Sequence, residues 1–295
     1  MVVASAVCFS TKAIFVKLSY PYGVDALTLL ALRMGFSLPI FAAMSVIEER
    51  RWRAARASPS PMPLRDRLLV ALLGFLGYYL ASYLDFLGLT YLTASLERLV
   101  LFLYPTFALG ISALIFGHEI TRREASAVAL SYAGILVAFG GERITAEHDV
   151  LVGSLLVGLS GLSYAAFFVG SGRLVARIGA NRLIAQATTF SCVFVLLQFA
   201  LTRPLAALHV PRAVYAYAML TAVVATVLPT FLLGQGIRLV GANRAAIASM
   251  IGPVSTIALA RVCLGERFGW LQAVGTALVL LGVARLGSSK MRART

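Results

Sequence analysis

Long apolar runs separated by short, polar, arginine-bearing stretches set the pattern of this chain. A membrane helix needs about 20 mostly apolar residues. Ten segments meet that rule: residues 2–19, 26–47, 68–89, 94–116, 122–140, 151–174, 183–201, 213–237, 243–264 and 268–286. The pattern predicts an all-α integral membrane protein, because a backbone inside lipid must satisfy its own hydrogen bonds. The first run lacks a basic leader, carries Lys12 in its middle and is followed by further runs. It is therefore expected to be a membrane helix and not a cleaved signal peptide. Its abrupt start leaves room for a short leader ahead of Met1. The longest connection, Glu48 to Asp66, turns from Arg-rich to Pro/Ser-rich and is expected to be a linker, not a domain.

One run occurs twice. Ala94 to Glu119 and Ala242 to Glu266 both open on a small residue, place a proline eleven positions on (Pro105, Pro253) and close on Gly-His-Glu or Gly-Glu. Leu84 and Gly88 match Leu232 and Gly236, and Gly134 matches Gly282. One inserted residue, His118 or a neighbour, breaks the register, which is restored before Gly134. Such self-similarity signals an internal duplication. The copies are the fourth and ninth spans, separated by an odd number of helix steps, so they cross the membrane in opposite senses. Two inverted five-helix repeats are expected, over residues 1–140 and 151–286, around a central cavity with a binding site near the midplane.

Composition agrees: 60% of residues are hydrophobic and 13% charged, far from the ~25% charged of soluble domains. The net charge of +14 would suggest nucleic acid in a soluble protein, but here the cations occupy loops. With the N-terminus inside, seventeen Lys and Arg lie in inside segments, against Arg98, Arg143, Arg203, Arg212 and Arg267 outside. That bias places both termini in the cytoplasm. Lysine occurs only at positions 12, 17 and 290, so there is no phosphate-binding P-loop and no ATP hydrolysis by that route. A G-x-S-x-G elbow is absent, and Cys8, Cys192 and Cys263 lie in apolar runs without metal-like spacing. No catalytic residue, metal site or cofactor is expected.

Charges inside a bilayer are costly and therefore mark candidate function. Lys12 is the deepest, placed to hold a substrate carboxylate or to pair with a carbonyl or tyrosine. Arg33, Asp85 and Arg261 lie nearer span ends, where pairing and snorkelling compete. Glu119 and Glu266 are expected to fix the ends of the fourth and ninth spans. In the third span Tyr78, Ser82 and Phe86 share one helical face, and Tyr79 and Tyr83 an adjacent one. Such a face suits either a cavity wall or an interfacial aromatic belt. Ser163, Tyr164 and Phe168 offer the equivalent surface from the sixth span, and Tyr104, Thr230 and Ser249 lie near prolines. Pro105 and Pro253 each remove a backbone donor and are expected to kink the duplicated spans, as gating elements. Glycines at helical spacing (Gly74, Gly77, Gly153, Gly158, Gly161, Gly275, Gly282) are expected to pack helices closely. No carboxylate falls in the middle third of any span, which favours gradient-driven transport over a proton relay.

Together these motifs resemble the EamA-type branch of the drug/metabolite transporter superfamily. Cys8-Phe9-Ser10-Thr11 through Lys17 is similar to the family's Trp-Gly-x-x…Lys opening, with Phe9 in the Trp place. Ser163-Tyr164-Ala165 is its mate, and Leu32-Arg33 is like the family's Leu-Arg pair. The resemblance implies that spans 1, 3, 4, 6, 8 and 9 surround the cavity while spans 5 and 10 buttress the outside. It further implies a bacterial inner-membrane exporter of small metabolites, and the chain also looks like the amino-acid exporter subgroup; since one chain holds both halves of the site, a working monomer is expected. Proton-coupled movement of other metabolites or drugs is the alternative. An integral-membrane lipid enzyme would need a His, Asp or Cys cluster that the chain does not present.

Overall fold

The structure, a computed structural model, describes residues 1–54, 62–117, 119–140, 147–240, 245 and 248–292. Position 118 and much of the start of the second duplicated run lie outside the described residues. The described residues form helices and no strand. Seven helical stretches are long and apolar enough to cross a membrane: Val2–Tyr22, Ala26–Ala54, Leu64–Tyr91, Ala94–Phe116, Asp149–Ile178, Ala180–Thr202 and Arg212–Gly236. Ile251–Leu264 and Trp270–Leu286 are shorter apolar helices, and Arg122–Gly140 completes the set of ten spans. This is a multi-pass membrane protein.

The first two spans are α1 (Val2–Ser19) and α2 (Ala26–Ala54). Asp25 caps α2, accepting the N–H groups of Leu27 (3.0 Å) and Thr28 (3.2 Å), the Thr28 hydroxyl (2.5 Å) and Arg203 (3.4 Å). Burial pushes this carboxyl up, but the Thr28 bonds, Arg203 and Leu27 outweigh it and hold it below the usual carboxylate range. Its stabilisation is complete above the unfolded-state pKa and is lost as pH falls through the lower folded value. Asp25→Ala is expected to cost about 0.5–2 kcal/mol at neutral pH. Melting curves of variant and wild type should converge in strong acid; a constant gap would reject the capping role.

The third span is α3 (Leu64–Gly74), a π turn (Phe75–Leu80) and α4 (Ala81–Tyr91). The eighth repeats this plan: α10 (Arg212–Ala222), a π turn (Val223–Val227) and α11 (Leu228–Val240). In both, a backbone N–H reaches back five residues, Ala81 to the Leu76 carbonyl and Leu228 to that of Val223. The π turns are separated in sequence by the same offset as Pro105 and Pro253, so they belong to the repeat.

The duplicated spans are interrupted, not merely kinked. The fourth is α5 (Ala94–Leu101) and α6 (Tyr104–Phe116), with Phe102 and Leu103 between them in a turn. The ninth breaks at Met250, and α12 (Ile251–Leu264) follows. Proline suits such a place because a first-turn residue has no intrahelical N–H bond to lose. Both copies end at a left-handed glycine, Gly117 (φ 64°) and Gly265 (φ 67°), which accounts for the shared glycine.

The remaining helices are α7 (Arg122–Gly140), α8 (Glu147–Ile178), α9 (Ala180–Thr202) and α13 (Trp270–Arg292). Packing follows the repeat. The second span lies against the seventh (α2 on α9) and the fifth against the tenth (α7 on α13). The third packs on the sixth as the eighth packs on the first, and the fourth on the sixth as the ninth on the first. Glycines set the closest approaches. A Cβ on Gly77 would strike the Phe167 ring of α8, and one on Gly74 the Ala187 carbonyl of α9. Cβ-free backbones substitute for hydrophobic attraction, which lipid does not provide.

Candidate functional site

Lys12 sits two-thirds along α1, among apolar neighbours, and an ionised amine there needs partners. It has two carboxylates. Its Nζ lies 2.5 Å from Asp85 Oδ2 on α4 and 3.2 Å from Glu97 Oε1 in the first turn of α5. Both acids are essentially sealed, and they also interact with one another. Asp85 Oδ1 and Glu97 Oε2 have no hydrogen-bond partner among the described residues. Arg33 of α2 adds a second cation beside Asp85, its guanidinium 5.4 Å from the Phe86 ring centre and its Nε donating to Thr226 Oγ1 at 3.1 Å. Thr226 belongs to the second π turn, so a charge of the first half bonds a side-chain hydroxyl carried by the second half's irregular turn.

Around this centre the helix breaks are stitched together. Ser10 Oγ donates to the Gly252 carbonyl at 2.8 Å, joining α1 to the start of α12. Glu266, just past α12, accepts the N–H groups of Ala94 (2.7 Å) and Ser95 (3.1 Å) and the Ser95 hydroxyl (2.6 Å). Its N–H donates to the Ala260 carbonyl at 3.3 Å, closing the end of α12, while its side chain caps the start of the fourth span, where a carboxylate complements the helix dipole. Lys17 Nζ donates to the carbonyls of Leu89 (3.1 Å) and Leu92 (2.8 Å), and the Tyr20 hydroxyl to that of Phe86 (2.5 Å). One end of the bundle is thus tied across the first, third, fourth and ninth spans.

The aromatic candidates divide. Tyr104 packs edge-on against Tyr164 (5.2 Å between ring centres) and near Phe168 (6.4 Å), bringing fourth and sixth spans together. Tyr78 meets Phe167 at 5.0 Å. Tyr79 and Tyr83 stack at 6.5 Å, and Tyr79 approaches Phe75 (4.9 Å) and Phe194 (6.1 Å), towards α9. The face drawn through Tyr78, Ser82 and Phe86 is split: Tyr78 joins the α8 side, Phe86 lies under Arg33, and Ser82 is half-buried between them. The π turn widens the helix at Tyr78, and regular four-residue spacing fails there. Ser163 Oγ donates to the Leu76 carbonyl at 2.7 Å, inside that turn. Thr230 and Ser249 donate to carbonyls of their own helices, at Thr226 and Ala245. Pro105 and Pro253 stand at the start of α6 and α12, next to the breaks.

Glu97 and Arg98 were not among the sequence candidates, and Asp85 was placed near a span end. Charge bias along the chain groups Arg98 with the outside loops; it lies in α5 and turns inward, so that a Cβ on Gly252 would come within 2.9 Å of its Nη2. The available signal was pairing: one lysine and two acids in apolar runs of the same half must find each other. At the far end of the bundle, a crevice of about 550 Å³ opens between α2 and α9, lined by Ser45, Glu49, Arg50, Arg53, Met62, Arg67, Gln186 and Thr189.

A model of the EamA-like transporter family matches residues 1–140 and again 151–287. The chain belongs to the EamA-like transporter family. It is 30% identical to the uncharacterized transporter YcbK of Bacillus subtilis, over 97% of this chain and 91% of that one. A probable amino-acid metabolite efflux pump of Salmonella typhimurium is 25% identical over 64% of this chain and 66% of its own length. An uncharacterized transporter of Archaeoglobus fulgidus is 24% identical over 96% and 93%. A solved crystal structure covers all of this chain and 98% of the other at TM-score 0.64 and 18% identity, which shows a shared fold. The family is one of transporters and not of enzymes, which makes the lipid bilayer the protein's surroundings and a small molecule its cargo.

Proposed function

We propose that this EamA-family protein is a secondary exporter of small metabolites, foremost amino acids with aromatic or apolar side chains. It works by alternating access, without ATP, as a single chain in a bacterial inner membrane with both termini cytoplasmic. The observation that carries this reading is the pair of interrupted spans, α5–α6 and the break before α12, beside a buried charge cluster. Discontinuous helices at symmetric places in inverted repeats are where secondary transporters bind substrate. Tyr78, Tyr104, Ser163, Tyr164 and Phe168 supply aromatic and hydroxyl surface next to it, with Pro105 and Pro253 at the moving joints. The Salmonella relative's description as an amino-acid metabolite efflux pump supports the substrate class. The test is counterflow of radiolabelled amino acids in proteoliposomes; a panel in which no amino acid accumulates above empty liposomes rejects it.

Proton coupling is the second reading, favoured by the two carboxyls that share Lys12. Counterflow that proceeds equally with and without a pH gradient would remove it.

In this reading the end tied by Lys17, Tyr20 and Glu266 is the closed external gate. Glu266→Ala removes three hydrogen bonds to a charged acceptor and is expected to cost about 1–3 kcal/mol. In a chain freed of Cys8, Cys192 and Cys263 and carrying Ser10→Cys, it should also speed labelling by an external impermeant maleimide. Unchanged labelling would mean that Glu266 caps a helix and gates nothing.

A further inference from the structure

We propose that Arg98 is the anchor for the carboxylate of the transported substrate, holding it against the start of α12. The inference rests on the proposed function and names the residue that reads the cargo's charge. Among the described residues, four cations lie in this part of the bundle (Lys12, Lys17, Arg33 and Arg98), and three are already engaged. Lys12 is shared by Asp85 and Glu97. Lys17 donates to two backbone carbonyls. Arg33 is buried over Phe86 and bonded to Thr226. Arg98 makes no ion pair among the described residues, and its Nε is buried without a partner. Its neighbour Glu97 feels its charge but makes its ion pair with Lys12.

An arginine within a span, with its Nε sealed and unpartnered, is costly unless some state of the protein gives it an anion. The place it occupies suits one. Its Nη2 lies against Gly252, the second residue of α12, where the absent side chain lets the guanidinium approach the backbone at the start of that helix. The side chain as a whole is half-buried, unlike the sealed Asp85 and Glu97. Its charge also bears on the hydroxyls of Tyr104 and Tyr164, whose rings meet at 5.2 Å. A planar guanidinium pairs with a carboxylate through two parallel hydrogen bonds, and the neighbouring tyrosine faces suit an aromatic or apolar side chain. Lys12, already neutralised by two acids, is left a positioning role: it fixes α5, and so Arg98, against α1.

The experiment compares phenylalanine with phenylalaninamide, which keeps the ring and amine but lacks the carboxylate, in proteoliposomes of wild type and Arg98→Gln. Wild type should favour phenylalanine by about tenfold or more, because a site built to bond a group rejects the analogue lacking it. In Arg98→Gln that ratio should fall towards one. Arg98→Lys, which keeps the charge but loses the fork, should fall between, with the change in KM and little in the maximal rate. If Arg98→Gln does not fold by gel filtration, Arg98→Lys carries the comparison alone. Phenylalanine transport with the wild-type ratio in the folded variants overturns the Arg98 site and leaves the proposed function standing. No amino-acid transport by wild type overturns both.

Discussion

Lys12→Ala is expected to destabilise the protein by about 3–5 kcal/mol, the usual penalty for removing one partner of a buried ion pair. Two carboxyls, Asp85 at 3% and Glu97 at 0% exposure, would lose the ammonium that lies 2.5 and 3.2 Å from them. Asp85 Oδ1 and Glu97 Oε2 have no hydrogen-bond partner among the described residues, and lipid on the outside of the bundle cannot hydrate them. The drop should appear as a lower melting temperature in detergent. A companion variant separates charge burial from shape: replacing Lys12, Asp85 and Glu97 together by apolar residues of similar size should recover much of the stability, as buried ion networks often allow. Transport should stay lost in the triple variant, since α5 and Arg98 would no longer be held in place. A Lys12→Ala protein that melts within a degree of wild type would show that the cluster opens to water.

The second large effect is expected where α7 crosses α13. Gly134 and Gly275 face each other so closely that a Cβ on Gly134 would lie 2.7 Å from the Gly275 carbonyl oxygen, and one on Gly275 2.6 Å from the Ala138 backbone nitrogen. One on Gly282 would lie 2.7 Å from the Ala127 carbonyl oxygen. These are contacts with backbone, which cannot swing aside as a side chain can. Gly275→Leu should therefore force the fifth and tenth spans apart and cost about 1–3 kcal/mol or more. Gly158→Ala is the control: nothing lies within 4 Å of its added Cβ, and stability should not fall. Equal melting of Gly275→Leu and wild type would mean that these two spans contribute little to holding the fold.

Both effects arise at residues with very different visibility in the sequence. Gly275 and Gly282 stand out at helical spacing, and close packing is what small residues in apolar helices do. Lys12 stands out as a lone amine in an apolar run. Its partners did not, because Asp85 and Glu97 lie near the ends of their own spans, where counting along a helix assigns them to the interface. Depth along one helix is not depth in the bundle. Pro105 predicts a kink in the fourth span, but the break falls at Phe102 and Leu103; proline marks the neighbourhood, and the turn is made by residues ahead of it. The π turns carry no proline at all within Phe75–Leu80 or Val223–Val227 and no composition that announces them.

Sequence alone determined the ten apolar spans, the duplication and the glycine ends of its two copies, because these depend on length, period and local backbone chemistry, all written along one dimension. Only the tertiary structure decided that one half carries the charge: Lys12, Asp85, Glu97 and Arg98 meet because α1, α4 and α5 converge there. It also decided that Glu266 serves a helix other than its own and that Arg98 turns inward. Which side chains become partners depends on the faces that packing brings together, and the two halves share a backbone plan while differing in the residues they place on it.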